Sequence, residues 1–339
     1  MKRYAFWNNK GGTGKTSLLF QASTIYAEQN PQEKVLVLDL CPQANLSELF
    51  LGGLMGGGSE SLTQLQSRSP RCTVGGYFES RLPSPYTAPD IAAEDFLCSP
   101  FDFNNAIPAN ITLMAGDPLL ELQSNAIATL ANNQIPGQNS WLSVVDWLSD
   151  FINEVNDDYD TVFIDTNPSF SMYTQIALSA ASRLVLPTMA DDSSRRAVQN
   201  AFTLIHGLHL PSTIYSDFSF TTKLTEAGRS LPQVHLIPKN RLTQYMGAAS
   251  AYGSVMRQIQ TFVASVMATN PEIFTFTDID DGFVDVRDFQ TTGVVAFAKG
   301  VPFSKLTTGK HDIGGRDTQV NPDYLVNCRE AIDDVVAFL

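Results

Sequence analysis

A short run rich in lysine and glycine near the start of the chain carries the clearest chemical signal. It reads Lys10-Gly11-Gly12-Thr13-Gly14-Lys15-Thr16-Ser17. Glycines let a backbone turn wrap so that its N–H groups point inward, which suits phosphate oxygens. In this pattern a lysine reaches the β- and γ-phosphates of a nucleotide, and the next hydroxyl binds Mg²⁺. We therefore expect Lys15 and Thr16 to take these two roles.

The sequence around the run predicts the elements that a phosphate loop needs. Apolar residues indicate a buried strand over 3–7 and, at helical spacing, a helix over 17–28. The helix N-terminus would add its partial positive charge at the loop. The alternative is a glycine-rich turn with an incidental lysine, but the Gly-Lys-Thr triplet in this context argues against it. The ordinary pattern has glycine at position 9, where this chain has Asn9, and Lys10 is an additional lysine at the head of the loop.

Two aspartates stand where further buried strands end. Asp39 closes the run KVLVLD over 34–39, and Asp165 closes TVFID over 161–165. Ligands of parallel sheets bind at the carboxyl ends of the strands, so both side chains are expected near the loop. Asp165 is expected to contact Mg²⁺ directly or through water. The alternative for Asp165 is a cap on the next helix.

The pattern predicts an α/β protein with a doubly wound, mostly parallel sheet and helices on both faces. Continuous apolar runs are typical of strands buried on both faces, and here they fall at 111–115, 184–187 and 234–237 as well as in the strands above. Helical spacing follows over 119–131, 141–155, 242–268 and 323–338. Such alternation favours one layered sheet. We expect a single domain over 1–339 with an irregular insertion at 51–110, where glycines and prolines are frequent.

Composition limits the partners of the chain. The net charge is −13, with −11 in residues 1–180 and −2 in residues 181–339, so a basic patch fits only the C-terminal half. Acidic proteins are repelled by nucleic acids and anionic membranes. The four cysteines form no Cys-x-x-Cys pair, no secretion signal precedes the first strand, and no apolar run approaches membrane-spanning length. A cytoplasmic location is expected.

The run KGGTGKT resembles the deviant Walker A box of the ParA/MinD family of P-loop ATPases. The resemblance implies that the chain binds ATP and Mg²⁺, hydrolyses ATP and forms a homodimer that sandwiches the nucleotide. It implies that Lys10 crosses to the phosphates of the partner subunit and that Gly12 leaves room for the two loops to approach. The implied nucleotide-binding residues are Lys10, Gly11, Gly12, Thr13, Gly14, Lys15, Thr16 and Ser17, the catalytic ones Lys10, Lys15 and Asp39, and the metal ligands Thr16, Asp39 and Asp165.

The run Asp39-Leu40-Cys41-Pro42-Gln43 resembles switch I of that family, usually D-x-D-P-Q. Cys41 replaces the second aspartate, which helps to orient the attacking water. A neutral thiol accepts hydrogen bonds weakly, so it is a poor substitute. Two interpretations follow. Either the protein hydrolyses ATP slowly, which we favour, or it binds ATP as a near-permanent dimerisation clamp. The run that begins at Asp165, DTNPS, resembles switch II.

Downstream signals are weaker. Asn240 follows a predicted strand where the family places residues near the adenine, so it is a candidate for reading the base. Residues 294–306 resemble a late segment that brings the chain back over the nucleotide. Arg195 and Arg196 lie either near the dimer face or, more simply, at a solvated helix start. His206 and His209 have helical i, i+3 spacing but lack further ligands, so structural or surface roles are expected.

Two functions fit these observations. In the first, a ParA-like partition or positioning ATPase binds DNA non-specifically as an ATP dimer and would then be nucleoid-associated, while a protein partner stimulates hydrolysis or carries cargo. The candidate DNA contacts are Lys299, Lys305, Lys310 and Arg316. In the second, which the charge of −13 favours, an ATP-gated switch presents the 51–110 insertion to a protein partner without DNA. Membrane binding is not expected, because it needs a basic amphipathic end and this one is acidic.

Overall fold

The computed structural model describes residues 1–242 and 251–339. Its strands are β1 (Lys2–Phe6), β2 (Val35–Leu40), β3 (Ile111–Met114), β4 (Thr161–Thr166), β5 (Arg183–Val185), β6 (Gln233–Leu242), β7 (Phe283–Arg287), β8 (Gly309–Asp312) and β9 (Asp317–Val320). Its helices are α1 (Lys15–Gln29), α2 (Asn45–Phe50), α3 (Gly58–Gln66), α4 (Val74–Arg81), α5 (Leu119–Ala131), α6 (Ser140–Val145), α7 (Trp147–Glu154), α8 (Met172–Ala180), α9 (Asp192–His206), α10 (Phe220–Glu226), α11 (Ala251–Thr269), α12 (Gln290–Lys299) and α13 (Pro322–Val336).

Seven of the strands in these ranges form one parallel sheet in the order β3-β2-β4-β1-β5-β6-β7. The prediction of a doubly wound parallel sheet is confirmed. Strand β1 lies at its centre, with β4 and β5 on either side. Because the strands are parallel, the segments that follow β1, β2 and β4 emerge at the same edge. This arrangement brings together chain segments that are more than 100 residues apart.

Helices cover both faces of the sheet, as expected. Side chains alternate along β1, so that Ala5 and Trp7 belong to one apolar core while Tyr4 and Phe6 belong to the other. Helices α4 to α11 contribute to the first core, and α1, α2, α12 and α13 contribute to the second. Burial on both sides explains why β2 is apolar at nearly every position. Within the described residues, no helix is long and apolar enough to cross a membrane.

Residues 51–110 contain α3, α4 and two short 3₁₀ turns. Their apolar side chains enter both cores: Tyr77 and Phe78 of α4 pack in the first, and Leu65 of α3 packs in the second. The stretch is therefore built into the domain and cannot be removed without opening the core.

Several predicted elements differ from the observed ones. The helix expected over 141–155 is split at Asp146 into α6 and α7, and the Asp146 carboxylate forms an ion pair with Arg229 at 2.5 Å. The helix expected over 242–268 is observed as α11 from Ala251; residues 243–250 lie outside the described residues, and Leu242 ends β6. The hairpin of β8 and β9 was not predicted, because half of its strand residues are exposed and the strands have no apolar alternation.

The late segment 294–306 does not cover the loop after β1. The backbone N–H of Phe303 donates to Gln21 in the middle of α1, and Lys305 pairs with Glu28 near the end of that helix. These contacts place the segment along α1, and its return over a nucleotide stays a prediction. Apolar burial decides its path, since Phe303 is fully buried in the second core.

Candidate functional site

The loop between β1 and α1 has the backbone that its glycines permit. Gly12 and Gly14 have φ values of 74° and 81°, in the left-handed region that favours glycine. Gly14 is the N-cap of α1 and offers no side-chain oxygen to the first-turn N–H groups. These N–H groups and the helix dipole are therefore available to an anion. A Cβ on Gly11 or Gly12 would meet nothing within 4 Å, so the surface over these residues is open.

Lys15 is a buried cation at this helix N-terminus. It is only 6% exposed, and within the described part of the chain it makes no hydrogen bond or ion pair. Burial lowers the pKa of Lys15, whereas the nearby Asp165 carboxylate acts in the opposite direction. An unpaired buried charge is costly unless a ligand of opposite charge compensates for it. The arrangement suits an anion that carries several negative charges.

Thr16 and the two predicted carboxylates lie next to Lys15. The Thr16 hydroxyl donates to Asp165 at 2.7 Å. Asp39 and Asp165 are register partners on β2 and β4, and both are fully buried. Burial raises the pKa of each, and the charge of Asp39 raises the pKa of Asp165 further. Adjacent carboxylates and a hydroxyl are hard oxygen donors of the kind that Mg²⁺ prefers.

Asp165 does not cap a helix. The next helix, α8, starts at Met172 and has Ser171 as its N-cap residue, six positions beyond Asp165. The capping alternative is therefore wrong.

Asp39 is held by Cys41 of switch I and by Ser47 of α2. One carboxylate oxygen accepts from the Cys41 N–H at 3.0 Å, and the other accepts from the N–H and the hydroxyl of Ser47 at 2.9 and 2.7 Å. One oxygen thus binds the loop after β2, and the other binds the first turn of α2. No sequence pattern indicated Ser47, because its contact with Asp39 depends on the way α2 folds back over β2.

The Cys41 thiol stays neutral. Burial raises its pKa to about 12, and the charges of Asp39 and Asp165 add to the effect. A thiol in this state neither accepts a proton nor holds a water molecule as a carboxylate does. The structure thus supplies the physical basis for the weak substitution inferred from the sequence.

Lys10 is engaged within its own chain. Its ammonium group forms an ion pair with Asp191 at 2.5 Å and a hydrogen bond to the Ser194 hydroxyl at 3.1 Å. Asp191 is the N-cap of α9 and also accepts from the Ser194 N–H at 2.8 Å. The expected role of Lys10 toward a partner subunit therefore requires it to leave Asp191. The sequence showed Asp191 only as an acidic residue before a helix.

Asn240 supports the loop from β6. Its side-chain amide donates to the Thr13 carbonyl at 2.8 Å, and a Cβ on Gly14 would come within 2.3 Å of this amide nitrogen. Asn240 is 3% exposed. Its contact to the loop backbone explains why it lies at this position, and base reading stays a prediction.

The remaining residues that the sequence singled out make ordinary structural contacts. Arg195 and Arg196 both pair with Asp192 in the first turn of α9, which fits a solvated helix start. Helix α9 ends at His206, and His209 lies beyond it with φ 56°, so the expected helical spacing is wrong. His206 is buried and lines a cavity of about 1,020 Å³ at the far end of the sheet, with Arg3 and Gln233.

Three of the four candidate DNA contacts have partners within the chain. Lys305 pairs with Glu28 at 3.4 Å, Lys310 pairs with Asp317 at 3.6 Å, and Lys299 contacts the His311 ring at 3.0 Å. Arg316 is exposed in the turn of the β8–β9 hairpin. The two ion pairs offset the positive charge of Lys305 and Lys310, whereas the contact with the His311 ring leaves the charge of Lys299 in place.

The fold and the loop together define a P-loop nucleotide-binding protein. A family model described as an AAA domain (AAA_31) matches residues 1–213, and the chain belongs to this family. Similarity extends to the cell division protein PomZ of Myxococcus xanthus, 27% identical over 246 residues that cover 69% of this chain and 63% of PomZ. The chain thus spans less than two thirds of that relative.

Solved structures share the fold. Apo McdA of Cyanothece superposes with a TM-score of 0.62 at 16% identity, covering 99% of both chains. A putative plasmid partition protein of Borrelia burgdorferi, solved with AMPPNP, gives a TM-score of 0.55 at 13% identity over 100% of this chain and 99% of its own. The family match and the similarity to PomZ identify a ParA-like P-loop ATPase, and the solved structures show that its fold is shared.

Proposed function

We propose that this chain binds ATP and Mg²⁺ at the loop after β1 and hydrolyses the ATP slowly. The observation that carries the proposal is Lys15, a cation that is 6% exposed and whose ammonium group makes no hydrogen bond or ion pair among the described residues, with the Asp165 carboxylate nearby. It stands at the start of a helix whose first N–H groups are open to an anion. A triphosphate matches this combination of fixed charge and donors.

The residues around Lys15 fit a magnesium ion. Thr16, Asp165 and Asp39 would lie near it, and buried carboxylates on neighbouring strands suit a divalent cation. When bound, Mg²⁺ would neutralise charge on the phosphates. Lys15 would hold the β- and γ-phosphates, and Asp39 would fix the switch I backbone through its contacts with Cys41 and Ser47.

Slow hydrolysis follows from Cys41. Phosphoryl transfer depends on positioning and on electrostatic stabilisation, so a group that cannot orient water reduces the rate. The thiol stays protonated because its pKa is raised to about 12. Asp39 cannot freely replace it, because both of its oxygens already accept hydrogen bonds, one from Cys41 in switch I and the other from Ser47 in α2.

We further propose a homodimer that closes over the nucleotide. Gly11 and Gly12 are exposed with open space above them, so two loops can approach closely. Lys10 would then exchange its contact with Asp191 for the phosphates of the partner. A cation supplied from outside the loop stabilises developing charge, as an arginine finger does.

The biological role we propose is ParA-like positioning or partition of a cargo. It is supported by the family match and by similarity to a cell division protein and a putative plasmid partition protein. A protein partner that stimulates hydrolysis or carries the cargo belongs to this proposal, and so do a cytoplasmic location and nucleoid association through non-specific DNA contacts.

Nucleotide retention tests the central claim. Lys15→Ala should weaken ATP binding by about 10- to 100-fold, the range expected for losing a charge-assisted contact. Lys223→Ala removes a lysine on α10, away from the loop, and should bind ATP as the wild type does. Equal affinity of the Lys15 variant and the wild type would refute the proposed site.

A second candidate is an ATP-gated switch that acts on a protein without DNA. The ion pairs of Lys305 and Lys310 favour it, and residues 51–110 expose Leu54, Met55 and Phe101. DNA binding by the ATP-loaded chain at low salt decides between the two, with the Lys15→Ala protein as control. Binding that requires ATP and weakens with salt supports the first candidate, and no binding supports the second.

A further inference from the structure

The carboxylate of Asp39 is locked by a serine on α2. Ser47 donates its backbone N–H and its hydroxyl to one oxygen of Asp39, and both residues are fully buried. The N-cap residue of α2 is Ala44, which has no side-chain acceptor. Asp39 therefore serves as the acceptor for the first turn of this helix, a function that N-cap side chains usually perform. The position of Asp39 and the position of α2 are consequently linked.

The hydrogen-bond network around Asp39 extends to the segment after β3. The Ser47 hydroxyl accepts from the Gly116 N–H at 2.8 Å, so it joins Asp39 to this backbone. A Cβ on Gly116 would come within 2.9 Å of the Asp39 carboxyl carbon and within 2.8 Å of the Ala44 Cβ. The Gly116 backbone thus packs directly against Asp39, and a shift of this segment must move the carboxylate or Ser47.

The next residue anchors this segment to the 51–110 stretch. Asp117 is fully buried and accepts two parallel hydrogen bonds from the Arg71 guanidinium, each 2.8 Å, and one from the Thr73 hydroxyl at 2.7 Å. Paired bonds of this kind fix geometry as well as adding energy. The Arg71 side chain is 32% exposed, so it connects the buried network to the surface.

We propose that Arg71, Asp117, Gly116 and Ser47 form a relay that sets the position of Asp39, so that the pairing of Arg71 with Asp117 affects the rate of ATP hydrolysis. Ser47 and Arg71 are positioning residues, since they act through Asp39. The hydrolytic part of the inference rests on the proposed function. It explains how the 51–110 stretch, which lies outside the loop after β1, could regulate the site.

Amide hydrogen exchange on the unliganded chain tests the relay without nucleotide. Arg71→Gln should speed exchange at Gly116 and across residues 41–50 by about tenfold, because it removes the paired contacts that hold Asp117. Arg229→Gln is the matched control, since Arg229 also pairs with a largely buried aspartate, Asp146, but at a different place. Equal exchange over residues 41–50 in the two variants would overturn the relay.

Single-turnover hydrolysis tests the consequence. Ser47→Ala and Arg71→Gln should each slow the step about tenfold while ATP affinity changes less than about twofold, because small displacements of a positioned group reduce rate more than binding. Ser47→Thr keeps the hydroxyl and should restore most of the rate. The double variant should lose less than the product of the single losses, since both changes break one network.

These outcomes separate the relay from the proposed function. Wild-type hydrolysis rates in both single variants would overturn the control of hydrolysis, even where ATP binds as proposed. Failure of the wild type to bind or hydrolyse ATP would refute the proposed function, and the exchange comparison would still decide the relay. A loss of rate in Ser47→Thr as large as in Ser47→Ala would also overturn the role of the hydroxyl.

Discussion

Replacing Asp191 by asparagine should strengthen ATP-dependent dimerisation. Lys10 is held by Asp191 within its own chain, and the proposed dimer requires Lys10 to leave that contact. Asparagine is as good an N-cap as aspartate, so the bond from the Ser194 N–H that starts α9 is kept while the charge is lost. The substitution therefore frees Lys10 with little effect on the helix.

The size of the effect follows from the ion pair. Desolvation raises the pKa of Asp191, but bonds from Lys10, Ser193 and the Ser194 N–H outweigh it and lower the pKa to about 2. A pKa shift of this size corresponds to a stabilisation of the charged carboxylate by about 2.4 kcal/mol. The Asp191 side chain is 39% exposed, so solvent screening reduces the pair to about 1 kcal/mol. A dimer releases two such pairs, or about 2 kcal/mol, which is about 30-fold in the dimer dissociation constant.

Sedimentation with a non-hydrolysable ATP analogue measures this constant. Asp192→Asn is the control, because it removes the same charge one residue away and leaves Lys10 untouched. The gain should shrink at high salt, where exposed pairs are screened. Dimerisation of Asp191→Asn no tighter than that of Asp192→Asn would refute the reasoning, as would an equal gain in a chain that also carries Lys10→Ala.

Three further predictions concern the site and the far end of the sheet. Cys41→Asp should raise single-turnover hydrolysis at least about tenfold without tighter ATP binding, because a carboxylate can orient water; an unchanged rate would mean that another group limits it. Asn240→Ala should weaken ATP and GTP binding equally, by about fivefold each, because it removes a buried hydrogen bond to the loop; a loss confined to ATP would instead show that Asn240 reads the base. Burial lowers the pKa of His206 to about 4, so the unfolded chain binds the proton first as pH falls below about 6.5. The contribution of His206 to the free energy of unfolding should then drop by about 3 kcal/mol between pH 6.5 and 4. Denaturant titrations of the wild type and His206→Gln over that range measure this contribution as the difference between their pH dependences, which also removes the opposite effect of the buried carboxylates Asp39 and Asp165.

Local signals in the sequence predicted the sheet and the loop well. The strands around Asp39 and Asp165 are buried on both faces, and such strands are recognisable because nearly every position is apolar. The loop glycines were recognisable because only glycine readily adopts the positive φ seen at Gly12 and Gly14. The hairpin of β8 and β9 was missed because exposed polar strands carry no apolar alternation.

The sequence by itself determined the phosphate loop, the two strand-end carboxylates and the replacement of an aspartate by Cys41. These features are properties of residue type and spacing over a few positions, so they can be recognised without a structure. The tertiary structure alone decided which partners those residues have: Asp191 for Lys10, Ser47 for Asp39 and Thr13 for Asn240. Most of these partners lie far apart in the chain, and only the order of the strands and the path of each helix bring them within hydrogen-bonding distance.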